Sequence, residues 1–182
     1  MKAKSIDYSS GQLISLVILR MLIGWHFLYE GVVKLWNPSW SARGYLLDSE
    51  GPAAGLFYSM ANNPDVMNVV DTLNVWGLVL IGLGLLLGAL SRWAAIGGIV
   101  LLAFYYLSHP PLVGVEYALP SEGSYLLVNK NLIELFGLAV IVAFPTSKII
   151  GLDRLIAKAM NREVPEEAAA KTESTEREKV SA

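Results

Sequence analysis

The chain has 182 residues with a formal net charge of −2; 54% are hydrophobic and only 16% charged, and the mean hydropathy is +0.47. Of its 14 Lys and Arg and 16 Asp and Glu, only 14 fall in the 136 residues from Leu13 to Lys148. A soluble domain carries about 25% charge, so that middle reads as a membrane domain. The near-neutral balance, with no Lys or Arg cluster, excludes a nucleic-acid binder, and the absence of cysteine excludes disulfides, Cys-ligated zinc, iron–sulfur clusters and thiol–disulfide exchange.

In chain order, residues 1–12 read as a short polar cytoplasmic N-terminus. The apolar run Leu13–Trp36 carries Arg20, His26 and Glu30 and has no small-residue cleavage site, which makes it a retained span rather than a signal peptide. A span needs about 20 apolar residues to cross about 30 Å of hydrocarbon. Three further segments are expected to cross: Val69–Leu90, Trp93–Ser108 and Tyr125–Phe144. Prolines end the runs at Asn37-Pro38, His109-Pro110-Pro111 and Pro145, as expected where a helix cannot continue. The expected fold is therefore an all-α bundle of four membrane spans over residues 13–148. Residues 149–182 are expected to form a cytoplasmic, charged, disordered tail.

Lys2, Lys4, Arg92, Lys148, Arg154, Lys158 and Arg162 flank one side of these spans, whereas the two long loops are poor in positive charge. The positive-inside rule then places both termini in the cytoplasm and both long loops outside. In the first long loop, Trp40, Tyr45–Leu47 and Leu56–Met60 suit short interfacial helices broken at Gly51-Pro52. Gly82, Gly84, Gly88, Gly97 and Gly98 suit close helix packing in lipid.

The first span holds the chemistry. At about 100° per residue, Arg20, His26, Glu30 and Lys34 share a sector of about 120°, the last three at successive i, i+4 steps. Charges at membrane depth are costly, so this stripe faces protein or a wet cavity. With Asn131 and Glu134 in the fourth span, Tyr105, Tyr106 and His109 ending the third, and Asp71 and Asn74 opening the second, the polar groups of four helices meet at one outer level. Each has a structural alternative. Glu30 and Lys34 can be a packing ion pair, Glu134 a partner of Lys34 or Arg20, His26 a hydrogen-bonded core group, and Arg20 a carbonyl-bonding or snorkelling group. Tyr105 and Tyr106 can belong to an aromatic belt, and His109 to a loop. The two histidines show no metal or haem spacing, and no flavin motif is present.

The run Arg20…Gly24…Phe27…Gly31-x-x-Lys34-Leu35, then Asn37-Pro38-Ser39-Trp40 and Gly44-Tyr45-Leu46, resembles the DoxX/DoxD family of small four-helix membrane proteins, most closely its thiosulfate:quinone oxidoreductase subunits. Gly82…Gly88…Arg92 and Asn131…Glu134 fit the same pattern. The resemblance implies a bacterial inner-membrane subunit that passes electrons from a small reduced sulfur compound to quinone, alongside a second polypeptide. On that reading Glu30, His26 and Glu134 move protons. Arg20, Lys34, Asn131, Tyr105, Tyr106 and His109 bind quinone or substrate. Two rivals stay open: a non-enzymatic membrane adaptor that recruits a partner protein, and a small carrier.

Overall fold

The structure, a computed structural model, describes residues 8–119 and 126–159. It is all-helical, with no strand among the described residues: α1 (Ser10–Leu35), α2 (Arg43–Leu47), α3 (Ala54–Ala61), α4 (Pro64–Leu87), α5 (Ser91–Ser108), α6 (Lys130–Ala143) and a 3-10 turn at Thr146–Lys148.

Local chemistry sets the helix ends. The Ser9 hydroxyl accepts from the Gln12 N–H while the Gln12 side chain accepts from the Ser9 N–H, a reciprocal cap that starts α1 ahead of the expected Leu13. The Asn63 side chain accepts from the N–H groups of Asp65 and Val66, and Pro64 occupies the first helical position. This starts α4 before the expected Val69. Gly88, at φ +63°, ends α4 in the left-handed conformation that glycine adopts without strain. The His109-Pro110 step stops α5 where expected.

Among the described residues, three helices, α1, α4 and α5, are long and apolar enough to cross a membrane. The fourth expected span is shorter than its sequence implied. The Asn129 side chain caps α6 at the Leu132 N–H, leaving 14 helical residues, or about 21 Å. Tyr125, the expected start of this span, lies outside the described residues.

The long helices form a ring in which α1 packs on α4, α4 on α5 and α5 on α6, and a looser seam between α6 and α1 closes it. Ile23, Phe27, Leu78, Ile81, Leu85, Leu102, Leu138 and Ile141 fill the centre, while Leu22, Trp25, Leu73, Leu80, Ile133 and Phe136 are exposed outward. Apolar side chains on the outside fit a lipid surround. Small residues set the approach of the helices. A Cβ on Gly82 would strike the Leu28 backbone, one on Gly31 would lie 2.7 Å from Val79 Cγ2, and one on Gly98 would lie 2.7 Å from Leu138 Cδ1. The expected glycine packing thus holds at Gly82, Gly84 and Gly98, brings Gly88 close to Gly151, and extends to Gly24 and Gly31 of α1, whereas Gly97 makes only ordinary contacts.

Both ends of the bundle are covered. At the loop end, α2 and α3 bury Ala42, Leu46, Phe57 and Ala61 against Met67 of α4. At the tail end, residues 152–159 are helical, so the first part of the expected tail is structured. There Asp153 accepts from the N–H groups of Leu90 (2.7 Å) and Ser91 (3.3 Å), and its own N–H donates to the Gly88 carbonyl. The rest of the expected tail lies outside the described residues.

Candidate functional site

The polar stripe of α1 opens onto a cavity of about 470 Å³ in the loop half of the bundle. The seam side carries the ionisable groups. The His26 Nδ1 lies 2.8 Å from Glu134 Oε1 and 3.0 Å from its Oε2, tying α1 to α6. The Glu134 side chain is 11% exposed and that of His26 47%, so the carboxylate is buried behind an accessible imidazole. One turn on, the Lys34 ammonium pairs with the Glu30 carboxylate and donates to the Glu30 carbonyl (3.2 Å). It also sits 5.6 Å from the centre of the Trp40 ring, a cation–π distance. Lys130 and Asn131, at the start of α6, line the same wall.

Across the cavity, on α4 and α5, the Asn74 side-chain amide donates to the Tyr105 hydroxyl at 2.7 Å. The walls between are apolar: Phe27, Leu78, Leu102 and, from the second loop, Leu119. Tyr45 of α2 completes the roof, its hydroxyl 3.3 Å from the Tyr105 carbonyl.

Six of the nine candidate site residues therefore share one space, His26, Glu30, Lys34, Tyr105, Asn131 and Glu134, and Asn74, expected at the same level, joins them. Glu134 takes His26 as its partner, where the structural alternative named Lys34 or Arg20. The other three stand elsewhere. Arg20 is 2% exposed near the tail end, and its guanidinium donates to Thr146 Oγ1 (3.1 Å) and the Ile150 carbonyl (2.8 Å). It matches the carbonyl-bonding alternative and does not line the cavity. Tyr106 donates to the Leu127 carbonyl at 2.8 Å, fastening the approach to α6.

His109 belongs to a clamp above the cavity. Its ring stacks on Tyr45 at 3.8 Å between centroids and faces Tyr117 at 4.6 Å. Its Nδ1 is 3.1 Å from Ser108 Oγ, and its Nε2 is 3.6 Å from an Asp48 oxygen. Asp48 accepts from the N–H groups of Ala118 (2.8 Å) and Leu119 (2.9 Å) and so holds Leu119 over the cavity. Burial alone would raise the Asp48 carboxyl, but these two N–H groups and His109 keep it below the usual carboxylate range. Burial lowers His109 below the usual imidazole value, and Asp48 only partly opposes this.

Tyr45, Trp40 and Lys130 line the cavity without having been named from sequence among the polar groups expected to meet there. Tyr45 and Trp40 join only because the first loop folds back over the bundle, which no spacing encodes.

Chemically, the cavity offers an apolar slot with polar groups at two sides and a hydrogen-bonded imidazole–carboxylate pair able to take up and release a proton. The DoxX family model matches residues 15–110, from α1 to the end of α5, so Asn131 and Glu134 lie beyond the matched segment. No curated protein and no solved structure matches the chain.

Proposed function

Because the chain belongs to the DoxX family, we propose that it is the membrane subunit of a quinone-linked oxidoreductase, with the cavity between α1, α4, α5 and α6 as its quinone-head site. The observation that carries this reading is the pairing of His26 with Glu134 beside the Glu30–Lys34 ion pair, on one side of a cavity with apolar walls and the Asn74–Tyr105 pair on its other side. Ion pairing alone would not need a cavity.

A bound quinone head supplies the electron sink, accepting two electrons and two protons as it becomes the quinol. The electrons come from a small reduced sulfur compound of the thiosulfate kind, directly or through a second subunit, because this chain has no thiol of its own. Lys34 offers an ammonium to the ring oxygen that gains negative charge. Glu134 and His26 hold and pass a proton between them, and Glu30 holds Lys34 in place. In this reading α6, though short, closes the bundle as its fourth membrane segment. The membrane is the bacterial inner membrane, and both termini are cytoplasmic, since Lys148, Arg154 and Lys158 gather with Arg92 at the tail end.

The test is Glu134→Gln. The amide keeps the shape and a hydrogen bond to His26 but cannot exchange a proton near neutral pH, and losing a positioned acid or base costs about 10²–10⁴-fold in rate. Thiosulfate-dependent quinone reduction in membranes that contain the partner subunit is expected to fall by at least about 10², with the melting temperature in detergent within a few degrees of wild type. A variant that melts early yet keeps full activity per folded molecule would contradict the reading and favour a purely structural ion cluster.

A further inference from the structure

The side of the cavity away from the seam carries an unmet hydrogen bond. Asn74 is 8% exposed and lines the cavity. Its amide nitrogen donates to the Tyr105 hydroxyl at 2.7 Å, and its amide oxygen has no partner among the described residues. Leaving a buried amide atom unpaired costs about 1–3 kcal/mol. Turning the amide over does not remove the problem. Tyr105 would then donate to the oxygen, and the nitrogen would be left with unused protons. In either orientation the pair has hydrogen-bonding capacity that the protein does not fill.

The two orientations complement different ligands. With the nitrogen turned to Tyr105, the phenol proton is released as a donor and the amide oxygen stands as an acceptor. With the oxygen turned to Tyr105, the amide N–H groups are the donors. A carbonyl oxygen only accepts, whereas a hydroxyl also donates. A side chain that can rotate about its last bond can serve both, and a fixed donor such as Lys34 cannot. The ring order α1–α4–α5–α6 puts the α4–α5 pair across the bundle from the α1–α6 seam. Lys34 of α1 and Asn74 of α4 line the same cavity, and two ring oxygens in para relation give a head group one oxygen for each.

We propose that Asn74, oriented by Tyr105, binds the ring oxygen remote from Lys34 in both its carbonyl and its hydroxyl form, so that the site retains the head group before and after reduction. This rests on the quinone reading above and adds to it a second anchor that tolerates either redox state.

The experiment measures binding rather than turnover. The whole protein in lipid nanodiscs is titrated separately with decylbenzoquinone and its quinol, followed by quenching of tryptophan fluorescence. Asn74→Leu keeps the volume and removes both functions of the amide. One buried hydrogen bond is worth about a tenfold change in affinity, so the variant is expected to bind both forms about tenfold more weakly. Asn74→Ser, shorter and still polar, is the companion variant should the leucine fail to fold, and it is expected to show the same joint loss. Unchanged binding in a folded variant would overturn the anchor while leaving the quinone reading intact. A loss for only one redox form would overturn the two-way role. Wild-type protein that binds neither probe would overturn the quinone reading and the anchor with it.

Discussion

Arg20 shows how far a single residue can be read from sequence. Its place in an apolar helix dictates a buried partner, and the structure supplies Thr146 and the Ile150 carbonyl, far along the chain and beyond any pattern of spacing. The result is a tie between α1 and the tail-end segment, next to the Gly88 turn that Asp153 also fastens. Hydrogen bonds from a charged donor are worth about 1.5–3 kcal/mol each. Arg20→Ala is therefore expected to destabilise the bundle by about 3–6 kcal/mol, read as a lower melting temperature in detergent, while the affinity of folded protein for quinone stays as in wild type. His26 was the reverse case. Its i, i+4 relation to Glu30 placed it on the polar stripe, but only the packing of α6 on α1 shows that its partner is Glu134.

Among the elements, apolar runs and prolines located α1, α4 and α5 well, because length and hydropathy are one-dimensional properties. The ends moved where a side chain caps the backbone, at Ser9, Asn63 and Asn129. For α6 that cap leaves a helix shorter than a bilayer crossing. Helix pairing was legible only in part. Glycines in the second and third spans marked faces for close approach, but their partners, such as Leu28 opposite Gly82, follow from the tertiary arrangement. In lipid, helix association depends on such close packing. Gly82→Ala is expected to push α1 off α4 and cost about 1–3 kcal/mol. The check is a lowered melting temperature with unchanged helix content by circular dichroism, and a stability equal to wild type would show that the α1–α4 contact yields without cost.

At the scale of the whole molecule, a family-matched segment, α1 through α5, supplies most of the cavity, and α6 supplies its buried carboxylate at Glu134. Composition set the apolar middle of the chain apart from its charged end, and three of the four residues of the α1 stripe, His26, Glu30 and Lys34, line the cavity while Arg20 does not. The roof stayed hidden because it is built by α2 and by the Asp48–His109 clamp, where loops fold back on themselves. The central claim is that this cavity holds a quinone head. Photolabelling tests it most directly, with an azido-substituted benzoquinone in isolated membranes and the labelled peptides read by mass spectrometry. Saturable labelling confined to cavity-lining residues of α1, α4, α5 and α6, and competed away by unlabelled quinone, is the predicted result. Labelling that does not saturate, or that falls only on outward apolar residues such as Leu22, Leu73 and Phe136, would contradict it.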